Sequence, residues 1–253
     1  MTAAIILAAG RGARLGRYTS HLPKALVRVA GRSLIDWHLH CLANCGIERV
    51  VIVGGYRCRQ LERPGVELIE TPQWPDSGPM ESLCAARPAR LNSGFLVLYA
   101  DSVHHCSNVR AVLDCPADIA VAGDRAWRDL WQQRHTAPLI DAETYRGDDG
   151  WLREIGAKPT SLDGIEAQFA GLLHFTPSGW SKAEQFAADS RPAPTDMTAL
   201  LSGLLRAGQP IADVPIHGRW CEVDSADDLR LCRRRLHDTR RWTHDWRERP
   251  SVA

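Results

Sequence analysis

The segment Leu7-Ala8-Ala9-Gly10-Arg11-Gly12-Ala13-Arg14-Leu15, closed by Pro23-Lys24-Ala25-Leu26, joins a glycine-punctuated turn to an arginine and a lysine. Gly10 and Gly12 follow an apolar run at once. Lacking side chains, they let backbone N–H groups approach phosphate oxygens, and Arg14 adds a forked cation. The set reads as a grip for a nucleoside triphosphate, although a tight structural turn explains the glycines alone equally well. No Gly-Lys-Ser/Thr follows, so this is not a Walker loop, and Leu15 stands where a dinucleotide fingerprint has its third glycine. Lys24, Lys158 and Lys182 are the only lysines among 31 basic residues, and two of them adjoin a proline, in Pro23-Lys24 and Lys158-Pro159. A chain that otherwise uses arginine thus keeps a compact ammonium in two rigid turns, a pattern that suggests selection but that three lysines do not separate from chance.

These groups must be positioned by a scaffold, and the apolar pattern supplies one. Strand-length apolar runs alternate with helical patterns, which predicts a mostly parallel open sheet with helices on both faces, a Rossmann-like α/β fold. Strands are expected at Ala3–Leu7, Arg49–Val53, Val66–Ile69, Phe95–Tyr99 and Ile119–Ala122, with helices at Leu34–Cys45 and Met80–Arg87. The pieces 137–145, 151–155 and 168–175 read as strands of a small mixed or antiparallel extension forming one wall of a pocket. Helices over 181–188, 197–207 and 226–237 and short strands over 211–215 and 221–223 complete the chain. Residues 1–232 are expected to form one domain, followed by a basic, Trp-containing helix or tail over 233–253. In such sheets ligands bind beyond the carboxyl ends of the strands, where the first loop and Asp101 both fall.

The longer pattern carries a resemblance. Leu7 to Leu15, Pro23-Lys24-Ala-Leu, Gly31-Arg-Ser-Leu-Ile35, Gly46-Ile and Val53-Gly-Gly-Tyr56 resemble the nucleotidyltransferases that join a nucleoside triphosphate to a phosphorylated small molecule. The likeness is strongest to the phosphocholine-cytidylyltransferase-like group, which includes enzymes acting on phosphonates and on phosphoglutamine. It persists through Tyr99-Ala-Asp101, Asp124 to Trp131, Pro138 to Thr144, Gly156-Ala-Lys158-Pro159 and Trp220-Cys-Glu222-Val-Asp224-Ser. The resemblance implies that an acceptor phosphate or phosphonate oxygen attacks the α-phosphorus of CTP in line and expels pyrophosphate. Lys24 would stabilise the α-phosphate, with Arg14 beside it, and Asp101 and Asp224 would hold Mg²⁺, hard oxygen ligands for a hard cation. Leu7, Ala8, Ala9, Gly10, Gly12, Arg14 and Asp101 would line the nucleotide side, and Gly55, Tyr56 and Ser82 would read the base. The group's Thr-Asn-Met-Val-type sequence before its serine is replaced here by Ser77-Gly78-Pro79-Met80-Glu81-Ser82, so its asparagine is missing. Asp224, standing before Ser225 and a helical run, is also readable as a helix cap.

For the acceptor side, Lys158 resembles the lysine of the group's Lys-Pro turn, which meets the acceptor's phosphate. Arg125, Arg128, Arg134, Asp141 and Glu143 are candidates for an anion-reading wall, each equally readable as a structural or solvated charge. Glu222 either points into the site or pairs with an arginine. The arginine-rich setting favours an anionic or zwitterionic phosphonate over a choline head group, for which an aromatic cage is expected. Trp127 and Trp131 sit four apart and suit core packing, and His104-His105 are read as loop residues.

A net charge of +1 gives no global reason to expect nucleic acid or a membrane surface. The stretch 230–249 is locally basic, including Arg240-Arg241. With Trp242 and Trp246 at i,i+4 it reads as a solvated or docking helix and a possible homodimer interface. The eight cysteines show no C-x-x-C pair, and reduced, buried thiols are expected. Cys41 and Cys45 lie one helical turn apart. Ala3–Leu7 is too short for a membrane span or signal segment, which points to a cytoplasmic protein. Two rival functions stay open: a sugar-1-phosphate nucleotidyltransferase using another triphosphate, and a non-catalytic nucleotide-binding domain.

Overall fold

Ala3–Ala8 (β1) is buried along its whole length and alternates between two cores. Ala4, Ile6 and Ala8 face one apolar cluster and Ala3, Ile5 and Leu7 the other, the period-2 signature of a central strand covered on both sides. Each fully buried isoleucine contributes about 1.5–3 kcal/mol over an exposed one, so the strand carrying the glycine loop is firmly anchored. The structure, a computed structural model, describes residues 2–238 and 241–248.

After β1 come the short hairpin strands Arg28–Val29 (β2) and Arg32–Ser33 (β3), then helix Leu34–Asn44 (α1) and strands Arg49–Gly54 (β4) and Glu67–Glu70 (β5). Helix Pro79–Ala85 (α2), strands Phe95–Tyr99 (β6) and Ser102–His104 (β7) and helix Cys106–Leu113 (α3) follow. The middle holds Ile119–Asp124 (β8), Trp127–Arg134 (α4), Tyr145–Asp148 (β9), Trp151–Ile155 (β10) and Gln168–Phe175 (β11). Pro177–Asp189 (α5), Met197–Arg206 (α6), Ala212–Ile216 (β12), Trp220–Glu222 (β13) and Ala226–His237 (α7) end the order.

Nine strands form one sheet in the order β5-β4-β1-β6-β11-β8-β12-β10-β9. The pairs β1–β4, β1–β6, β4–β5 and β8–β12 are parallel, as the alternating pattern predicts. β11 runs antiparallel between β6 and β8. The sequence reading placed β11 in a peripheral extension, but its buried residues on both faces make it a central strand. Of the pieces read over 137–145, only Tyr145 enters a strand. Pro138–Ile140 form a 3₁₀ turn instead. The antiparallel hairpin β9–β10 closes that edge of the sheet.

The division at 232 falls inside α7. Residues 241–248 are not helical, and Trp242 and Trp246 are buried in the core, with Trp246 edge-on to Trp37 at 6.1 Å. This tail therefore docks onto its own chain rather than presenting its tryptophans to solvent or a second copy. Arg240 and Arg249 lie outside the described residues. Among the described residues no helix is long and apolar enough to cross a membrane.

Candidate active site

A second, two-stranded ribbon does more to position chemistry than the main sheet. β7 pairs with β13 antiparallel, Ser102 opposite Glu222 and His104 opposite Trp220. The Val223 N–H donates to the Asp101 carbonyl at 2.9 Å, so the ribbon clamps the loops bearing Asp101 and Asp224 side by side. Asp224 does not cap α7. Ser225 does, accepting from the Asp228 N–H at 3.2 Å, while Asp228 accepts from the Ser225 N–H at 2.8 Å.

Lys24 reaches this pair from the first loop. Its Nζ donates to Asp101 and, at 2.5 Å, to Asp224, and Arg14 pairs with the other oxygen of Asp224. Burial pulls the ammonium's pKa down, but Asp101, Asp224 and Glu222 outweigh it and hold Lys24 above its usual value, so it stays charged. Burial pushes Asp101 up, yet Lys24 beside it keeps the carboxyl below its ordinary range. Glu222 moves the other way: burial, Asp101 and Asp224 raise it against the pull of Arg134 and Lys24. Gly12 is required here. Its φ is +72°, and a Cβ would meet the Lys24 stem at 2.9 Å.

These groups border a cavity of about 380 Å³ at the carboxyl ends of β1 and β6. Leu7, Ala8, Ala9, Gly10, Gly12, Arg14, Lys24, Ser82, Asp101 and Asp224 all line it, bringing together most of the nucleotide-side expectation. Two expected residues do not line it. The Tyr56 hydroxyl donates to the Ser20 carbonyl at 2.8 Å, and its ring packs edge-on against Trp74. A Cβ on Gly55 would strike Trp74 at 2.4 Å. Both therefore act behind the wall by seating Trp74, which does line the cavity. Sequence reasoning missed Trp74, although an aromatic in the turn-rich Pro72-to-Gly78 loop beyond β5 was a usable signal.

Beyond the shared residues Pro79 and Tyr99 lies a second chamber of about 280 Å³. Its walls carry three carboxylates, Glu143, Asp196 and Glu222, and three rings, Tyr99, Phe169 and Trp220. Glu143 is raised, mainly by burial, with Asp196 adding and Lys158 opposing. Asp196 also caps α6, accepting from the Ala199 N–H at 2.7 Å, which explains its sequence context without a ligand.

The arginine wall is not in this chamber. Arg125 pairs with Asp213 and lies over the Tyr145 ring. Arg128 donates to the Leu162 carbonyl at 2.5 Å. Arg134 is buried against Glu222 at 2.7 Å and Asp228 at 2.9 Å, so it braces two site loops from behind. Lys158 is exposed and donates to the Ile140 carbonyl at 3.4 Å, outside both chambers. Each of these cations has a protein partner that the sequence sets far away. Glu222 fulfils both of its readings, since it lines the chamber and pairs with Arg134. His104 is not a loop residue either. It is buried, stacks on Trp220 at 5.7 Å and, by burial with nearby His38 adding, falls to about 3, so it is neutral. Trp127 and Trp131 pack in the core.

Two carboxylates converging on one cation offer hard oxygen donors of the kind a divalent metal takes. The Lys24 ammonium between Asp101 and Asp224 shows that their oxygens converge closely enough to share a positive charge. Residues 4–162 match the MobA-like NTP transferase domain. The chain belongs to this family of nucleotidyltransferases. A relative within reach is the CTP:phosphoglutamine cytidylyltransferase of Campylobacter jejuni, 29% identical over 247 residues that span 90% of this chain and 98% of that one. The N-acetylmuramate alpha-1-phosphate uridylyltransferase of Neisseria meningitidis is 36% identical over 240 residues, 90% of this chain and 95% of that one. Among solved structures, the inositol-1-phosphate CTP transferase from T. maritima superposes with a TM-score of 0.72 over 92% of this chain and 95% of that one. At 21% identity it supports the fold alone.

Proposed function

We propose that this nucleotidyltransferase is a Mg²⁺-dependent cytidylyltransferase that transfers CMP from CTP to a small phosphonate or phosphate monoester bearing an ammonium group. The observation that carries the reading is the adjacency of the two chambers across Tyr99: one is lined by Lys24, Asp101 and Asp224, the other by carboxylates and rings. An ammonium among Glu143, Asp196 and Glu222, with Trp220 and Phe169 beside it, receives both charge pairing and cation–π attraction. The arginines expected to read the acceptor are engaged elsewhere, Arg125 and Arg134 by carboxylates and Arg128 by the Leu162 carbonyl.

The acceptor oxygen is ionised near neutral pH and needs no strong base. The protein's task is to bring two anions together and neutralise the charge that develops. The first loop's backbone and Arg14 hold the triphosphate, and Lys24 stabilises charge on the α-phosphate and the departing pyrophosphate. Mg²⁺ held by Asp101 and Asp224 would supply further charge neutralisation at the α-phosphate. Ser82 and Trp74 border the space left for ribose and base.

A second reading, uridylyl transfer to a sugar 1-phosphate, is favoured by the 36% identical relative. Pyrophosphate release with each triphosphate and a panel of acceptors decides between them. The proposal expects turnover with CTP and an aminoalkyl phosphonate or phosphate, and at least ten-fold lower kcat/KM when the amine is replaced by methyl. Turnover with UTP and a sugar 1-phosphate alone overturns it.

A further inference from the structure

Two thiols one helical turn apart meet a third, 61 positions further on, at the junction of α1 and α3. Cys41 lies in the last full turn of α1, Cys45 ends that helix, and Cys106 is the first residue of α3. Their sulfurs all lie within 4.8 Å of one another. Cys41 and Cys106 are buried and Cys45 is half-buried, so the cluster has a dry floor and one open side. Two of these sulfurs make weak contacts to backbone: Cys45 Sγ donates to the Cys106 carbonyl at 3.7 Å and Cys106 Sγ to the Cys41 carbonyl at 3.8 Å. At the open side, Glu248 pairs with His105 at 2.9 Å and stands within hydrogen-bonding reach of Cys106.

We infer that Cys41, Cys45 and Cys106 form a three-thiolate site for a thiophilic d¹⁰ cation, Zn²⁺, independent of the oxygen-lined catalytic centre. Thiolates bind Zn²⁺ at about 2.3 Å, which puts three sulfurs around one ion at about 4 Å from each other, within the observed spacing. A disulfide suits the cluster less well. Cys41 and Cys45 are i,i+4 on a helix, with Cβ atoms about 5–6 Å apart, against the roughly 3.5–4.5 Å a disulfide needs. Joining either to Cys106 also leaves the third thiol of the cluster unpaired. Glu248 or a solvent molecule is placed to complete a tetrahedron from the open side. Mg²⁺ does not compete, because a hard cation takes oxygen ligands. The bound ion staples the end of α1 to the start of α3, five residues after Asp101, and so adds stability rather than chemistry.

The test uses the full chain, reduced with a non-chelating phosphine. Zn²⁺ is titrated against a chromophoric chelator, and thiol alkylation is mapped by mass spectrometry with and without the metal. One equivalent is expected to bind in the presence of excess Mg²⁺. It should protect Cys41, Cys45 and Cys106 while Cys84, which is exposed, stays reactive. Co²⁺ should give a thiolate charge-transfer band, and Cys45→Ser should weaken binding at least 100-fold with its far-ultraviolet dichroism unchanged. Two results overturn the inference: equal stoichiometry and affinity in Cys45→Ser, or unprotected alkylation of the wild-type cluster at saturating Zn²⁺. The alkylation arm needs no variant, so a misfolded substitution does not blunt it.

Discussion

Asp101 and Asp124 stand at the carboxyl ends of two strands running the same way, β6 and β8, on either side of β11. Both are largely or wholly buried, and both are held below the usual carboxylate range against the cost of burial. Their surroundings differ. Asp124 is sealed: its Oδ1 accepts from the Ala126 and Gly218 N–H groups at 2.9 and 2.8 Å, and its Oδ2 meets His244 at 3.0 Å. That set ties the end of β8 to the turn before β13 and to the carboxyl-terminal tail. Asp101 instead shares one ammonium with a second carboxylate at the rim of a cavity. A buried charge by itself thus says nothing about catalysis. What separates the two aspartates is whether their partners are sealed in the interior or line a cavity.

The sharpest way to break this comparison is Asp101→Asn. It removes half of the converging carboxylate pair and is expected to lower kcat by about 10³-fold or more, with the melting midpoint little changed. Full activity in that variant would erase the distinction drawn here. Next in size is Arg134→Met. Arg134 touches neither chamber, but it holds Glu222 and the Asp228 that orders the Asp224 loop. The expected loss is about 10–100-fold in kcat/KM for the acceptor. Because Arg134 opposes the upward push of burial on Glu222, the acidic limb of the pH–rate profile should move to higher pH, and Arg134→Lys should partly restore it. A purely structural arginine would lower stability without moving that limb.

The smallest effect on turnover belongs to Asp124→Ala, which should leave kcat intact below its melting range. It strands two N–H groups and His244, at a cost of about 3–5 kcal/mol, or roughly 10 °C in Tm for a chain of this size. The sign of the pH effect follows from the depressed carboxyl. Its contribution is present above the unfolded value, about 4, and is lost as pH falls through the lower folded value. Thermal melts of wild type and variant should therefore converge on acidification. Divergence in acid would contradict the assignment.

The nucleotide side was largely legible in the sequence because its determinants are local. A glycine turn directly after a buried strand, a lysine in a proline-set turn and aspartates just past strand ends keep their meaning wherever the strands go. The acceptor side was not, because its meaning depends on partners. Arg125 meets Asp213, and Arg134 meets Glu222 and Asp228, pairings set by the fold. Phe169 enters the chamber only because β11 is inserted antiparallel beside β6, and Trp220 only because β13 pairs with β7. The mostly parallel sheet followed from the alternating apolar runs, while the tail's docking hinged on Trp242 and Trp246 finding the core without forming a helix.

The β7–β13 ribbon has a consequence for how such a chain can diversify. It welds two aspartates 123 positions apart into one bracket, braced from behind by Arg134 of α4 and not by the stretch between α4 and β11. That intervening stretch supplies Glu143 to the second chamber. Residues there can be exchanged, lengthened or rebuilt while the bracket keeps its spacing. With the second chamber as the proposed acceptor side, the transfer chemistry is insulated from changes in what the enzyme accepts, and new acceptors can be sampled without relearning how to hold a nucleotide.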